Sequence, residues 1–299
     1  MNAPIPYYGE LLSFATAFIW AFAVILFKKS GETVSPLGLN LFKNALTFVL
    51  LIPTMLVLGV SFFPQDLPFS VYGLAMLGGL LSIGLADTTL FRSLNMLGAG
   101  RFAVVDSLYS PSIILFAFVF LGERLTVWQW IGAGAVISAV FISSYEKNEE
   151  KLERRRLIEG TIWGVSSVLL MAAGLTIIKP VLEANHLLWV TFWRVVGGLG
   201  TMLLILTVHP RRKIALASLM KREGWGYTFF GSFLGAYLVT MVWLGGMKYT
   251  TLSISSALNQ TATVITFLLA ALLLKEPITP RRTVAIGMAF AGALAVTFG

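Results

Sequence analysis

Ten long apolar segments, separated by short polar ones, constrain this chain more than any other feature of its sequence. A helix needs about 20 mostly apolar residues to cross the hydrocarbon core of a bilayer. Only 12% of the 299 residues are charged, whereas about 25% are charged in an ordinary soluble domain. The sequence therefore predicts an all-α polytopic membrane protein. The ten predicted transmembrane helices span 8–28, 36–58, 70–93, 101–121, 127–145, 159–180, 187–208, 225–247, 252–274 and 281–298.

Positive charge is distributed unevenly among the predicted loops. Of the 22 Lys and Arg residues, 17 follow odd-numbered helices, three follow even-numbered helices, and Lys43 and Arg194 lie inside helices. Lys and Arg are concentrated in cytoplasmic loops of membrane proteins. We therefore expect both termini outside, in a bacterial inner membrane. Because this topology accounts for the net charge of +8, no nucleic-acid partner is expected.

The two halves of the chain carry the same pattern of charged, amide and glycine residues. Two offsets, 151 and 153 residues, align the halves. The aligned pairs are Gly9/Gly160, Lys28/Lys179, Glu32/Glu183 and Lys43/Arg194 at the first offset, and Asp106/Asn259, Glu123/Glu276, Thr126/Thr279 and Gly134/Gly287 at the second. Each unit has five predicted helices, an odd number, so the copies should insert in opposite orientations, as in many secondary transporters. We expect one five-helix repeat at 1–146, a charged linker at 147–158, and a second repeat at 159–299.

Two segments, FLGERLT (120–126) and LLKEPIT (273–279), end long apolar runs with a Glu followed three residues later by a Thr. Each is predicted to form a tight turn between two helices. Thr126 and Thr279 can cap the following helix, and a carboxylate near a helix N-terminus is favoured by the helix dipole. We therefore predict structural roles for Glu123 and Glu276 rather than contacts with a substrate.

Several of these residues, in this order, also carry a family resemblance. They are Trp20 eight positions before Lys28, Pro36 before Lys43, the Gly122–Glu123 turn followed by Gly132 and Gly134, and, in the second half, Arg194, Glu276 and Gly287. With them the chain resembles the ten-helix EamA-type branch of the drug/metabolite transporter superfamily. The resemblance implies export or exchange of amino acids and other small metabolites; some members carry drugs, nucleotide sugars or lipid-linked sugars. The chain departs from the family pattern with Lys at position 43, where Arg is common, and with Met171 where a Trp would repeat.

Three ionisable residues in the first half lie inside predicted helices, where such residues are costly and often functional. Lys43, Asp87 and Asp106 should lie roughly 8–11 Å below the cytoplasmic interface, at 1.5 Å of rise per residue. Burial and a neighbouring carboxylate favour the protonated form of an acid, so Asp87 and Asp106 are candidates for proton coupling. The alternative is a static buried ion pair that fixes helix packing.

The second half has a different polar layer at the corresponding depth from the outer side. Arg194 is accompanied there by the amides Asn259 and Gln260, with no carboxylate in the same layer. We therefore expect Arg194 to attract a carboxylate or phosphate of the substrate in a cavity between the two layers. The predicted substrate-binding residues are Asn40, Lys43, Tyr109, Trp163, Arg194, Tyr237, Asn259 and Gln260.

Two positions are predicted to interrupt helices along this cavity. Pro111 lacks a backbone donor and should kink the fourth helix near Tyr109. Asn259–Gln260–Thr261 is the equivalent polar interruption of the ninth helix.

These observations favour a secondary transporter that works by alternating access. The chain has no GxxxxGK[ST] sequence to bind ATP phosphates, no Cys and two His, so we expect no enzyme activity, metal or cofactor. The expected partners are a small-molecule substrate and the lipid bilayer, with the chain a monomer or a homodimer. The alternatives are a translocator of nucleotide sugars or lipid-linked sugars and an exporter of cationic drugs. A channel is less consistent with the internal duplication.

Overall fold

The computed structural model of the protein describes residues 7–64, 67–121, 126–144, 151–210, 212–220, 222–249 and 252–298. All regular secondary structure in these ranges is helical. The predicted turn residue Glu123 and residues 147–150 of the predicted linker lie outside them.

Within the described residues, the first half contains six helices. They are α1 (Tyr8–Ser30), α2 (Pro36–Val57), α3 (Phe69–Leu97), α4 (Ala99–Asp106), α5 (Tyr109–Leu121) and α6 (Val127–Ser144). Helix α2 begins with a capped turn, because the Ser35 hydroxyl accepts a hydrogen bond from the Gly38 backbone N–H and Pro36 occupies the first helical position. The predicted Thr126 cap on α6 is confirmed, since its hydroxyl accepts a hydrogen bond from the Gln129 N–H at 3.2 Å.

The second half also contains six helices. They are α7 (Lys151–Ala184), α8 (Leu187–Val208), α9 (Arg212–Leu219), α10 (Trp225–Ser232, Phe233–Leu238 and Val239–Tyr249 in one continuous run), α11 (Leu252–Leu273) and α12 (Pro280–Phe298). The predicted Thr279 cap on α12 is likewise confirmed by a hydrogen bond from the Arg282 N–H at 3.3 Å.

Six helices within the described ranges are long and apolar enough to cross a membrane: α1, α2, α3, α7, α8 and α10. Two shorter apolar helical stretches, Val127–Ser143 and Leu258–Leu273, lie in α6 and α11. The described residues therefore form an all-helical architecture with six candidate membrane spans, whereas the number of ten spans stays a prediction.

Helix α7 begins at Lys151, ahead of the predicted start at residue 159. Residues 151–158 therefore extend this helix instead of forming an irregular linker. Glu, Lys and Arg are good helix formers, and Arg155 pairs with Glu159 one turn later at 2.9 Å.

The predicted interruption at Pro111 appears as a complete break between α4 and α5. Ser107 and Leu108 form a turn there. A proline ring clashes with the carbonyl four residues earlier, which for Pro111 is that of Ser107. The predicted interruption at Asn259–Gln260–Thr261 does not break α11, which runs unbroken from Leu252 to Leu273. Val264 occupies the repeat position of Pro111 and provides its backbone donor.

Helices α3 and α10 each contain one turn of π-helix, which the sequence did not predict. These turns are Leu80–Leu85 and Phe233–Leu238. The two turns are 153 residues apart at both ends, which is the offset of the sequence repeat. Single π-helical turns are frequent at functional sites because they shift the register of a helix face.

Most of the packing joins the first half of the chain to the second. Helix α1 packs against α10 and α11, and its repeat equivalent α7 packs against α3 and α5. Helix α2 contacts α10 as its equivalent α8 contacts α3, and α6 packs along its own equivalent, α12. The two repeats therefore form one interlocked bundle rather than two separate ones.

Candidate functional site

A cavity of about 220 Å³ lies between the two halves of the bundle. Residues from α1, α2, α3 and α4, together with Tyr109 at the start of α5, line one part of it, and residues from α7, α8, α10 and α11 line the rest. The π-helical turns contribute Ser82 and Ile83 on one side and Gly235 and Ala236 on the other. These two pairs are themselves 153 residues apart.

Repeat equivalents make up most of the cavity wall. Eleven pairs have both members in the lining. They are Thr16/Ser167, Ala17/Val168, Trp20/Met171, Lys43/Arg194 and Asn44/Val195 at an offset of 151, and Ser82/Gly235, Ile83/Ala236, Asp87/Thr240, Leu90/Trp243, Asp106/Asn259 and Tyr109/Ala262 at an offset of 153. The equivalents share positions but not chemistry, since the first half supplies both carboxylates and the second half supplies neither.

Lys43 and Asp87 form an ion pair in the cavity wall, between the Lys43 ammonium and the Asp87 Oδ2 atom. Each residue is 6% exposed. The Lys43 ammonium also lies 5.7 Å from the centre of the Phe91 ring, within the range of a cation–π interaction. The charges of Lys43 and Asp87 thus largely neutralise each other.

Asp106 ends α4 and is held by the indole of Trp20. The Trp20 Nε1–H donates to the Asp106 Oδ2 atom at 3.4 Å, across 86 residues of sequence. No ion pair of Asp106 is found within the described ranges. Asp106 is therefore the carboxylate of this cavity that has no bonded cation among the described residues.

Arg194 is the corresponding uncompensated cation. It is 5% exposed, and its Nη2 atom donates to the Ser82 hydroxyl at 3.0 Å. Its Nε–H is buried and has no hydrogen-bond partner among the residues that the structure describes. Arg194 interacts electrostatically with Asp87 and with Tyr109, but forms no ion pair with either in the described part of the chain.

Two further buried polar atoms at the cavity lack a partner within the same ranges. They are the Tyr109 hydroxyl and the Asn259 Oδ1 atom. Tyr109 interacts electrostatically with both Asp106 and Arg194, so it lies near the two uncompensated charges. Because buried polar groups are nearly always hydrogen-bonded, these atoms are candidate contacts for a ligand or an ordered water.

Seven of the ten residues predicted to act in transport line this cavity. They are Lys43, Asp87, Asp106, Tyr109, Arg194, Asn259 and Gln260. Gln260 donates from its Nε2 atom to the Ser110 hydroxyl at 2.6 Å, which orients its amide. Whether these residues bind substrate or carry protons stays a prediction.

The other three predicted residues do not line it. Asn40 is fully buried, and its amide donates to the carbonyls of Ile83 at 2.9 Å and Gly84 at 3.3 Å, inside the π-helical turn of α3. The ring of Trp163 stacks under the Arg92 guanidinium at 4.3 Å. The Tyr237 hydroxyl bonds the Thr54 hydroxyl at 2.7 Å. All three side chains are engaged elsewhere in the bundle.

Most of the hydroxyl groups in the cavity are not predicted from the sequence. They belong to Thr16, Thr47, Ser82, Ser167, Thr191, Thr240 and Thr263. Thr16 and Ser167 are repeat equivalents, so conserved polarity across the repeat was a usable signal for that pair. No three His, Asp or Glu side chains in the described residues come together in the way that a metal site requires.

Comparison with known proteins places this bundle in a family. The family model of the EamA-like transporters matches the chain twice, over residues 7–145 and 158–298. The chain belongs to the EamA-like transporter family. It is therefore an integral membrane protein that contains two copies of the EamA unit.

Individual relatives are distant. An uncharacterized transporter of Methanothermobacter thermautotrophicus is 25% identical over 134 residues, which are 45% of this chain and 38% of that protein. An uncharacterized transporter from the cobO 3' region of a Sinorhizobium species is 34% identical over 83 residues, 26% of this chain and 58% of that protein. The chain thus matches well under two thirds of the length of both relatives.

One solved crystal structure matches almost the whole molecule. It covers 97% of this chain and 96% of its own, with a TM-score of 0.58 and 16% identity. At this identity the likeness concerns the fold alone. It supports the arrangement of helices described above.

Proposed function

We propose that this EamA-family protein is a secondary active transporter that exports or exchanges a small metabolite with an anionic group, such as an amino acid. The observation that carries the proposal is a set of buried polar atoms of Arg194, Tyr109 and Asn259, all at one cavity, that have no hydrogen-bond partner among the described residues. The cavity would alternate between the two sides of a bacterial inner membrane, and both termini would lie outside.

The arrangement of the repeats supports alternating access. Ten spans in two inverted five-helix repeats would place the cavity at the repeat interface, where secondary transporters bind their substrates. The swapped packing of α1 on α10 and α7 on α3, and the paired π-helical turns, are the features expected of such a pseudo-symmetric molecule.

The volume of the cavity favours a small substrate. Pockets for drug-sized ligands measure about 300–1,000 Å³, and this one measures about 220 Å³. A nucleotide sugar also carries two phosphates, and Arg194 is the cation here without an ion pair among the described residues. The volume and the charge both favour a substrate the size of an amino acid over a nucleotide sugar or a lipid-linked sugar.

The first experiment is a thermal-shift screen of the purified protein with amino acids, other small carboxylates, nucleotide sugars and lipophilic cations. A ligand at about 100 times its Kd stabilises a protein by roughly 2.7 kcal/mol. We expect carboxylate-bearing ligands to raise the Tm of the wild type and not of Arg194→Gln. Arg155→Gln is the control, because Arg155 is exposed and remote from the cavity.

The same screen separates the alternatives. Stabilisation by lipophilic cations alone, equal in Arg194→Gln, would replace the proposal with an exporter of cationic drugs that binds through Asp87 and Asp106. Stabilisation by nucleotide sugars alone would favour the translocator of activated sugars.

Proton coupling is a separate part of the proposal and has its own test. Asp87 and Asp106 line the cavity with Lys43 as their only bonded cation in the described ranges. Uptake of the stabilising ligand into proteoliposomes should depend on a pH gradient in the wild type and lose that dependence in Asp106→Asn or Asp87→Asn. An equal pH dependence in the double variant would show that neither carboxylate carries the coupled proton.

A further inference from the structure

Glu276, in the turn between α11 and α12, binds the first turn of α4 in the other half of the chain. Its Oε1 atom accepts a hydrogen bond from the Ala99 N–H at 2.7 Å, and its Oε2 atom accepts one from the Gly100 N–H at 3.0 Å. The first N–H groups of a helix have no partner within the helix. From the sequence, Glu276 is predicted to have a structural role within its own turn. In the structure, Glu276 instead caps a helix of the opposite repeat.

The backbone on both sides of this contact has a conformation that allows the close approach. Gly98 has a φ of 81°, and a Cβ atom on Gly98 would lie 2.7 Å from the Glu276 Oε1 atom. A Cβ atom on Gly100 would lie 3.0 Å from Oε2. On the other side, Lys275 adopts a left-handed φ of 55° and the Glu276 N–H donates to the Ala270 carbonyl at 3.2 Å. The turn thereby presents the carboxylate to α4.

The contact lies at the basic end of the bundle. Nearby, the Lys28 ammonium and the Arg156 guanidinium both donate to the Asn95 carbonyl, at 3.1 and 3.3 Å. This is the end that the sequence predicts to be cytoplasmic. The Lys28 ammonium also interacts electrostatically with the Glu276 carboxylate.

A buried apolar cluster lies next to this contact. Ala99 and Phe102 of α4 and Ala270 of α11 pack with Phe27 and Phe91 of α1 and α3. At the far end of α4, about 12 Å away at 1.5 Å per residue, Asp106 lines the cavity, and Asn259 of α11 does so too. The contact and the cluster therefore lie between the basic end and the residues with which α4 and α11 line the cavity.

We propose that the bond from Glu276 to the N-terminus of α4 is a latch that keeps the cavity closed at the basic end and must break in every transport cycle. This inference rests on the proposed alternating access. A carboxylate on two backbone N–H groups is a charge-assisted pair, and it is held by one side chain in the turn between α11 and α12. Such a contact can seal one state and still release within a cycle.

The test uses the absence of Cys from the sequence, which removes any background of thiol labelling. Thr240→Cys places a reporter in the cavity wall, and Glu32→Cys, at an exposed site of the basic end, reports which side of a membrane vesicle that end faces. The rate at which a membrane-impermeant maleimide modifies Cys at position 240 is then measured from the basic side.

We expect Glu276→Gln to raise this rate about tenfold, because losing one charge-assisted hydrogen bond shifts an equilibrium by roughly that factor. Glu123→Gln, the repeat equivalent, is the matched control and should leave the rate from the basic side unchanged. Gly100→Ala, which crowds the carboxylate while keeping its charge, should raise the rate by a smaller factor. If Glu276→Gln fails to fold, the Gly100→Ala variant is used to test the latch.

An unchanged labelling rate in folded Glu276→Gln or Gly100→Ala protein would make Glu276 a static helix cap and overturn the latch. An equal rise in Glu123→Gln would overturn it as well, since the effect would then not be specific to the basic end. Stabilisation of the wild type by a carboxylate ligand is measured independently. If the labelling experiment contradicts the latch, the proposed function is therefore unaffected. If the ligand screen finds no ligand, the labelling rates still test the latch.

Discussion

Lys43 and Asp87 are buried together, whereas Arg194 and Asp106 each rely on a neutral hydrogen-bond donor or acceptor. A buried ion pair gains little net stability, because removing both charges from water costs about as much as their attraction returns. Breaking such a pair is different, since it leaves one buried charge uncompensated. Replacing one member of the pair should therefore lower the stability of the protein far more than replacing both.

This reasoning predicts a specific pattern in a double-mutant cycle. Lys43→Met and Asp87→Asn should each lower the free energy of unfolding by about 3–5 kcal/mol, and the combined variant should recover most of that loss. Thermal unfolding in detergent measures all four proteins. If the double variant were as unstable as the sum of the singles, the two side chains would be stabilising the bundle independently, through packing rather than through their charges.

At the scale of the element, the sequence predicted the features that depend on neighbouring residues, namely helix caps and a helix break. The capping hydroxyls of Thr126 and Thr279 lie where their spacing predicted, and Pro111 breaks its helix one turn earlier, at Ser107. Glu276 was predicted as part of a local turn because sequence spacing gives no information on contacts with Ala99, 177 residues away. Long-range contacts of this kind depend on the packing of the whole bundle.

The two π-helical turns were missed for another reason. The segments LLSIGL and FLGAYL have the composition of ordinary membrane helices. A π-helical turn is stabilised by what surrounds it, and here Asn40 of α2 supplies donors to the Ile83 and Gly84 carbonyls of α3. The sequence shows Asn40 as a polar residue inside a predicted helix, and this pattern predicts a substrate-binding role for it. Its partners were not visible, because they are backbone atoms of another helix.

Asn40 should therefore matter for the shape of α3. Asn40→Leu removes the donor to the Ile83 carbonyl and one of two donors to the Gly84 carbonyl, which also accepts from the Thr88 hydroxyl, and a buried polar group left unsatisfied costs about 1–3 kcal/mol. We expect the unsatisfied carbonyl to lower the Tm. We also expect weaker stabilisation by ligand, because Ser82 in the same π-helical turn accepts a hydrogen bond from Arg194. Thr176→Val is the control: the Thr176 hydroxyl donates to the Ala172 carbonyl of its own helix, Thr176 lies outside the cavity lining, and the change should be nearly neutral. Equal losses in the two variants would contradict a special role for the π-helical turn.

At the scale of the whole molecule, the two copies of the EamA unit depend on each other. Helices α1 and α7 pack mainly against helices of the opposite copy, and α6 packs along α12. The cavity likewise takes one member of each of eleven residue pairs from each copy. The copies are repeats in sequence, but the packing gives them a single shared interior.

Separate expression of the two halves tests this interdependence. We expect residues 1–146 or 147–299 alone to aggregate in detergent, because each half exposes the helix faces that the other covers. Co-expressed, the halves should co-purify and recover the ligand-dependent Tm shift of the intact chain. The basic residues Arg154, Arg155 and Arg156 remain with the second half and should keep its first helix in the predicted orientation. A second half that folded and bound ligand by itself would mean that the cavity between the copies is not the binding site.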